Sequence, residues 1–282
     1  MNFLQLKQMQ AHYFDRGAGA PVVLVHCSSA SHKAWLFLEE ELTGQYRMLA
    51  PDLLGYGMST PWPDTPQTIA DSDLDVVLAL IEAAGAPVHL AGHSYGGLLG
   101  LEAARVHAER GSGAIASLFL VEPVAFPLLK GETHAQEWQD IAGVARQCIE
   151  AAAAGNDEAA ADAYMGYWLG AEQWRMSPER FRSEVIRTVA KVAHEFQGVF
   201  DLDRSPGDYG AIDCPATFVR GGRSPRAASA ITDLLMNALP RAELEEIADA
   251  GHMSPFTHQQ EIVTLLRAHL ARAGANAART GP

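Results

Sequence analysis

Five residues constrain this chain more than any others: Gly92-His93-Ser94-Tyr95-Gly96. They follow the short apolar stretch 88–91 and precede a helix-periodic stretch from 95 to 108. This is G-x-S-x-G set between a strand and a helix, the context in which the pattern has a mechanism. The chain must reverse sharply there, so that the serine hydroxyl stands clear at the end of a sheet, with the serine in a strained backbone conformation. Positions two before and two after the serine must approach closely, and glycine fits both. Gly97 and Gly100 continue the small face, letting the helix lie close to the sheet.

Such a turn needs a sheet beneath it, and the rest of the sequence supplies one. The run 21–26, Pro-Val-Val-Leu-Val-His, is apolar without alternation, as expected of a strand buried on both faces. Strands are also expected at 46–51, 88–91, 116–121, 216–219 and 243–247, with two small ones at 3–6 and 9–14 closed by the turn Asp15-Arg16-Gly17. Between them, helices are expected at 68–84 (ended by Gly85 and Pro87), 95–108, 227–238 and 258–271. This alternation predicts an α/β fold with a mostly parallel sheet covered on both faces. The segment 126–200 breaks it. It holds no convincing strand, reads as several helices (150–163 and 178–196 among them), and carries Trp138, Trp168 and Trp174 with Tyr164 and Tyr167. The aromatics suit either an insertion that buries its own side chains or a helical lid roofing a pocket. The expected organisation is a core of 1–125 and 201–271, a helical cap of 126–200, and a flexible tail of 272–282.

A nucleophilic serine needs a base. His252, in Asp249-Ala-Gly-His252-Met, follows the last expected strand, and loops at the carboxyl ends of parallel strands are where sites form. His12, His32, His107, His134, His194, His258 and His269 read as surface or helix positions, and His93 as packing beneath the turn. Attack by the serine creates an oxyanion, which needs preorganised N–H donors. Tyr95, the residue after the nucleophile, should supply one, and Ser28, in the loop after the strand 21–26, the other.

Together, His26 with Trp35, the Pro51-Asp52-Leu-Leu-Gly55-Tyr-Gly57-Met-Ser59 segment, the serine turn and Ala250-Gly-His252-Met resemble the α/β-hydrolase family in order and spacing over about residues 10–271. The resemblance implies an eight-stranded sheet with a cap inserted after the sixth strand, where the aromatic helical segment falls. The 52–59 segment then looks structural. The chain departs from the family twice. Cys27 stands where glycine usually follows the first histidine, and Ser224, in Gly221-Gly-Arg-Ser224, stands where the catalytic acid usually follows the seventh strand. Elimination leaves Glu122, which ends the apolar sixth strand, as the expected acid; a dehalogenase branch of the family places its acid there. Asp249 is the alternative nearer in sequence. A serine nucleophile, unlike the aspartate of epoxide hydrolases and haloalkane dehalogenases, points to acyl transfer.

The expected machinery is therefore Ser94, His252 and Glu122, with the amides of Ser28 and Tyr95 and a pocket of Trp168, Tyr164, Phe126 and Met253. The substrate is a small-molecule, apolar ester or related acyl compound. A cofactor-free C–C hydrolase or lyase on the same residues, and a ligand-binding protein on a hydrolase scaffold, are the alternatives. The formal net charge of −13 argues against nucleic acid and anionic membrane surfaces as partners. Three scattered cysteines give neither a disulfide framework nor a zinc site, and no metal cluster, phosphate-binding glycine loop or dinucleotide fingerprint accompanies the serine, so no metal and no cofactor are expected. No signal peptide or membrane span is seen, and a cytoplasmic location is expected. Homo-oligomerisation is left open.

Overall fold

The computed structural model describes residues 1–7, 9–62 and 72–280, with side chains to 275. Among these residues eight strands form one sheet in the order β1-β2-β4-β3-β5-β6-β7-β8. They are β1 (Asn2–Leu6), β2 (Met9–Gly17), β3 (Ala20–Val25), β4 (Tyr46–Pro51), β5 (Val88–His93), β6 (Ile115–Val121), β7 (Ala216–Gly221) and β8 (Ala242–Ile247). β1, β2 and β4 pair antiparallel, and every pair from β4 to β8 is parallel. The α/β fold with a mostly parallel eight-stranded sheet is as expected.

The apolar run in β3 shows why the sheet is covered on both faces. Side chains alternate across a strand. Val23 and Val25 enter one apolar layer, with α2 (Asp73–Ala84), α3 (Tyr95–Glu109) and α8 (Arg226–Ala238). Val22 and Leu24 enter the other, with Trp35, α1 (Glu39–Leu42) and α10 (Gln259–Thr280). Leu118 and Leu120 against Phe119 and Val121 repeat the alternation in β6.

Three boundaries differ from the sequence reading. Asp15 and Gly17 are not a closing turn; they continue β2, opposite Leu49 and Arg47 of β4. The expected helix 150–163 is two helices, α4 (Ala135–Ala153) and α5 (Asp157–Leu169). Gly155 turns into the left-handed region at φ 72°. The Asn156 side chain then caps α5 by accepting the Ala159 N–H at 3.1 Å. The expected tail from 272 belongs to α10, which runs to Thr280 because its alanines and arginines are strong helix formers. Residues 68–71 of the expected helix at 68–84 lie outside the described residues.

Between β6 and β7 lie α4, α5, α6 (Ala171–Arg175) and α7 (Glu179–Asp201). Their apolar sides are continuous with the layer that holds α2 and α3. Among the described residues no helix is long and apolar enough to cross a membrane.

Candidate active site

The serine turn is as tight as its glycines require. A Cβ on Gly92 would stand 2.3 Å from the carbonyl oxygen of Gly96, and one on Gly96 would stand 2.3 Å from that of His26. Ser94 sits at φ 56°, ψ −119°, between the end of β5 and the start of α3. Positive φ is rare for a residue with a side chain. Lys7, Ser29, Ser94 and Glu122 adopt it here. The last three cluster at the carboxyl ends of β3, β5 and β6, which is where strain is expected at a working site.

The three expected residues meet. The Ser94 hydroxyl lies 2.9 Å from Nε2 of His252, and Nδ1 of His252 lies 2.6 Å from Oε2 of Glu122. All three side chains are buried. The other Glu122 oxygen, Oε1, accepts the Gly221 N–H at 2.7 Å. The carboxylate is thus gripped from β7 and presents one free oxygen to the imidazole. Because that oxygen accepts, Nδ1 carries the proton, leaving Nε2 with a lone pair toward Ser94. Ser224 takes no part: its hydroxyl is buried without a partner. Asp249 is exposed and faces His258 at 3.5 Å.

Two supporting contacts were not read from the sequence. His93 Nε2 donates to the backbone carbonyl of His252 at 2.8 Å. Burial holds the His93 imidazole well below its usual range, and its neutral ring pins the loop that carries His252. The Trp168 indole stacks on the His252 imidazole, with ring centroids 3.7 Å apart and planes 23° from parallel. Trp168 stood among the aromatics of the strand-free segment, but its partner lies 84 residues on, and no local pattern links them.

The loop after β3 is also anchored. His26 donates from Nδ1 to the Cys27 carbonyl at 2.7 Å and accepts the Leu53 N–H on Nε2 at 3.0 Å. Burial lowers its pKa to about 4, so it stays neutral. Burial pushes the Cys27 thiol up to about 12, which makes it an inert apolar side chain and not a second nucleophile.

Beside Ser94 lies a small cavity. Trp168, Tyr164 and Phe126, expected at the pocket, line it together with Ser28 and Tyr95, expected as oxyanion donors. Val124, Val192, Glu195, Phe196 and Val199 complete the wall. Met253 is a correction. It sits outside this wall, because the backbone turns into α9 (Ser254–Thr257) directly after His252 and Met253 is its N-cap. The other aromatics of the inserted helices do structural work: Trp174 donates to Asp162 at 2.7 Å, and Trp138 packs on Phe200.

One group of described residues, His12, His32 and Asp52, brings metal-ligand atoms together. His12 and His32 were expected at surface or helix positions; His12 lies in β2 and His32 opens a short 3-10 helix, and both are buried. Their atoms are engaged with one another. Asp52 Oδ1 accepts from the His32 N–H and Nδ1 at 2.7 and 2.8 Å, and Oδ2 from His12 Nδ1 and the Met58 N–H at 2.9 and 3.0 Å. Burial alone would raise the Asp52 carboxyl, but these donors hold it well below the usual carboxylate range. The cluster fixes the 52–59 turn.

Comparison with known proteins agrees with the architecture. The model of the alpha/beta hydrolase family matches residues 22–265. The chain belongs to that family. A haloalkane dehalogenase from Sphingobium indicum is 31% identical over 153 residues, which is 53% of this chain and 48% of that protein. The chain thus spans about half the length of this relative. Lipase LipV from Mycobacterium tuberculosis is 27% identical over 271 residues, covering 89% of this chain and 93% of the lipase. The crystal structure of the enol-lactonase from Burkholderia xenovorans superposes with a TM-score of 0.77 over 96% of this chain and 100% of that one, at 21% identity.

Proposed function

We propose that the protein is a serine hydrolase that cleaves small to medium acyl compounds, esters first among them, through an acyl-enzyme. The observation that carries this reading is the unbroken chain from Ser94 Oγ through His252 to Glu122 Oε2, buried beside a cavity. Ser94 Oγ attacks the scissile carbonyl carbon while His252 Nε2 takes its proton. Glu122 holds the Nδ1–H and balances the charge of the imidazolium. The oxygen that gains the electron pair faces the Ser28 and Tyr95 N–H groups; Tyr95 is the first residue of α3, so its N–H has no acceptor within the helix. Collapse breaks the bond to the leaving group, which departs with the proton from Nε2. Water then gives a proton to His252 and attacks the acyl carbon, and Ser94 recovers its proton as the acid leaves.

The apolar walls, Phe126, Val124, Val192, Phe196 and Val199, favour an apolar acyl group. The sequence left open a ligand-binding protein with vestigial turnover, on the ground that Ser224 replaces the usual acid. The Glu122 contact favours the enzyme. The test is labelling by a serine-directed fluorophosphonate together with turnover of an aryl-ester chain-length series. Labelling of the wild type and not of Ser94→Ala is expected. Equal labelling of both, or tight ligand binding without turnover, would overturn the reading.

A further inference from the structure

The cavity wall carries one group that an apolar acyl chain does not use. Glu195, on α7, is buried among apolar neighbours, and it lines the same cavity as Ser94. Its Oε1 is fully engaged: the Tyr56 hydroxyl donates to it at 2.8 Å, and so does the Lys191 ammonium. Lys191 in turn donates to Asp73 at 2.8 Å and lies over the rings of Tyr56 and Trp62. Asp73 is held by the Tyr95 hydroxyl and the Leu54 N–H. Two donors, themselves held by the surrounding network, thus fix one oxygen of the Glu195 carboxyl. The second oxygen, Oε2, is buried and makes no close hydrogen bond, and the nearby donor on the same wall is the Ser28 side chain. A buried, unpaired carboxyl oxygen costs free energy unless something arrives to pair it.

Resting on the acyl-hydrolase reading above, we propose that Glu195 Oε2 is a recognition point for a hydroxyl group on the acyl part of the substrate. The acyl part is what stays bound to Ser94 after the leaving group departs, so it is the part this cavity must hold. A hydroxyl fits the site in either protonation state of the carboxyl: it donates to a carboxylate and accepts from an acid. Burial pushes the Glu195 carboxyl upward, while Lys191 and the nearby Ser28 hydroxyl pull against that rise. A substrate carboxylate would face the charges of Asp73 and Glu195. A substrate ammonium would have to shed its water in an apolar enclosure already supplied with the Lys191 charge.

The experiment compares kcat/KM for 4-nitrophenyl pentanoate with its 2-hydroxy and 3-hydroxy analogues, 6-hydroxyhexanoate with hexanoate, and a matched amino analogue of each. One hydroxyl position should be preferred over its deoxy partner by roughly 10- to 100-fold in the wild type, the range of a buried hydrogen bond. Glu195→Leu should bring that ratio to about one or below. Glu195→Gln keeps an acceptor for Tyr56 and Lys191 and still offers the cavity a polar group, so it should retain a preference for the hydroxyl; a thermal melt checks that each variant is folded. Turnover of the plain esters with no hydroxyl position preferred overturns this inference and leaves the proposed function standing. A preference that survives in Glu195→Leu, or a stronger preference for the amino analogue, also overturns it. Failure to turn over any ester, with no labelling of Ser94, removes both.

Discussion

Glu122→Gln is the sharpest test of the site because the structure fixes how the new amide must sit. Glu122 Oε1 accepts the Gly221 N–H at 2.7 Å, a contact that only an oxygen can keep. The glutamine oxygen therefore takes that place, and the amide nitrogen faces His252 Nδ1 across 2.6 Å. An N–H donor there demands a lone pair on Nδ1, so the imidazole proton moves to Nε2, toward Ser94. The base can then no longer accept the serine proton. Reaction requires the disfavoured tautomer, with no carboxylate to balance the imidazolium. In serine-protease triads the equivalent change costs about 10⁴ in kcat, or about 5.4 kcal/mol of barrier at about 1.36 kcal/mol per decade. A loss of about this size is expected, with the melting temperature close to that of the wild type because the two side chains are isosteric. The assay is kcat on an activated aryl ester from pH 6 to 9, beside a thermal melt. A loss of less than about tenfold in a folded variant would show that Glu122 does not set the tautomer of His252, and the reasoning would fail.

Further outcomes follow from other contacts. Ser224→Ala should change kcat by less than about twofold, since its hydroxyl touches no partner; a large loss would put the acid function back on the seventh-strand loop. Trp168→Leu should widen the acyl lengths accepted and lower kcat by up to about tenfold, the worth of an aromatic stack of roughly 0.5–1.5 kcal/mol; a melt and a chain-length profile separate this from simple loss of packing. Gly96→Ala should destabilise the fold by more than the roughly 1–3 kcal/mol of ordinary overpacking, because its Cβ meets backbone oxygens at 2.3 and 2.4 Å; a native-like melting temperature would contradict this. Asp52, held below its unfolded value by His32 and Met58 donors, contributes stability that is present above about pH 4 and lost as the pH falls below it. Asp52→Asn should therefore flatten the acid limb of stability in urea melts between pH 4 and 2, and an unchanged slope would refute the assignment.

What could be read from the sequence divides by the range of the physics. The β3 run was legible because both faces of that strand are buried, so its composition alone carries the message. The serine turn was legible because a Cβ at Gly92 or Gly96 collides with backbone whatever the rest of the protein does. Ser94 and His252 followed from order along the chain. Glu122 followed from the end of an apolar strand and from the lack of a carboxylate near Ser224. The break at 154–156 was hidden by alanine richness, which favours helix on both sides of it; the signal was present in Gly155-Asn156, a stop followed by a cap. The burial of His12 and His32 was invisible, because their shared partner Asp52 lies 40 and 20 positions away. Met253 was assigned to the pocket by adjacency to His252, and adjacency fails where the chain turns directly into a helix.

Glu195 shows the limit most clearly. In α7 it reads as one half of an i, i+4 pair with Lys191, the commonest solvated feature of a helix surface. Nothing local says that this pair is buried. It is buried because α7 packs against the segment that carries Tyr56 and the start of α2, where Asp73 waits for the ammonium. A helix that merely capped the core would meet that contact with apolar side chains, which are often at least as stabilising as a buried ion pair because no charge has to leave water. Retaining Lys191, Asp73 and Glu195 leaves one Glu195 oxygen without a close hydrogen bond, at a cost to stability. The arrangement makes physical sense where that oxygen is completed by what the cavity takes in, and the same packing that hid Glu195 from sequence reading is what places it beside Ser94.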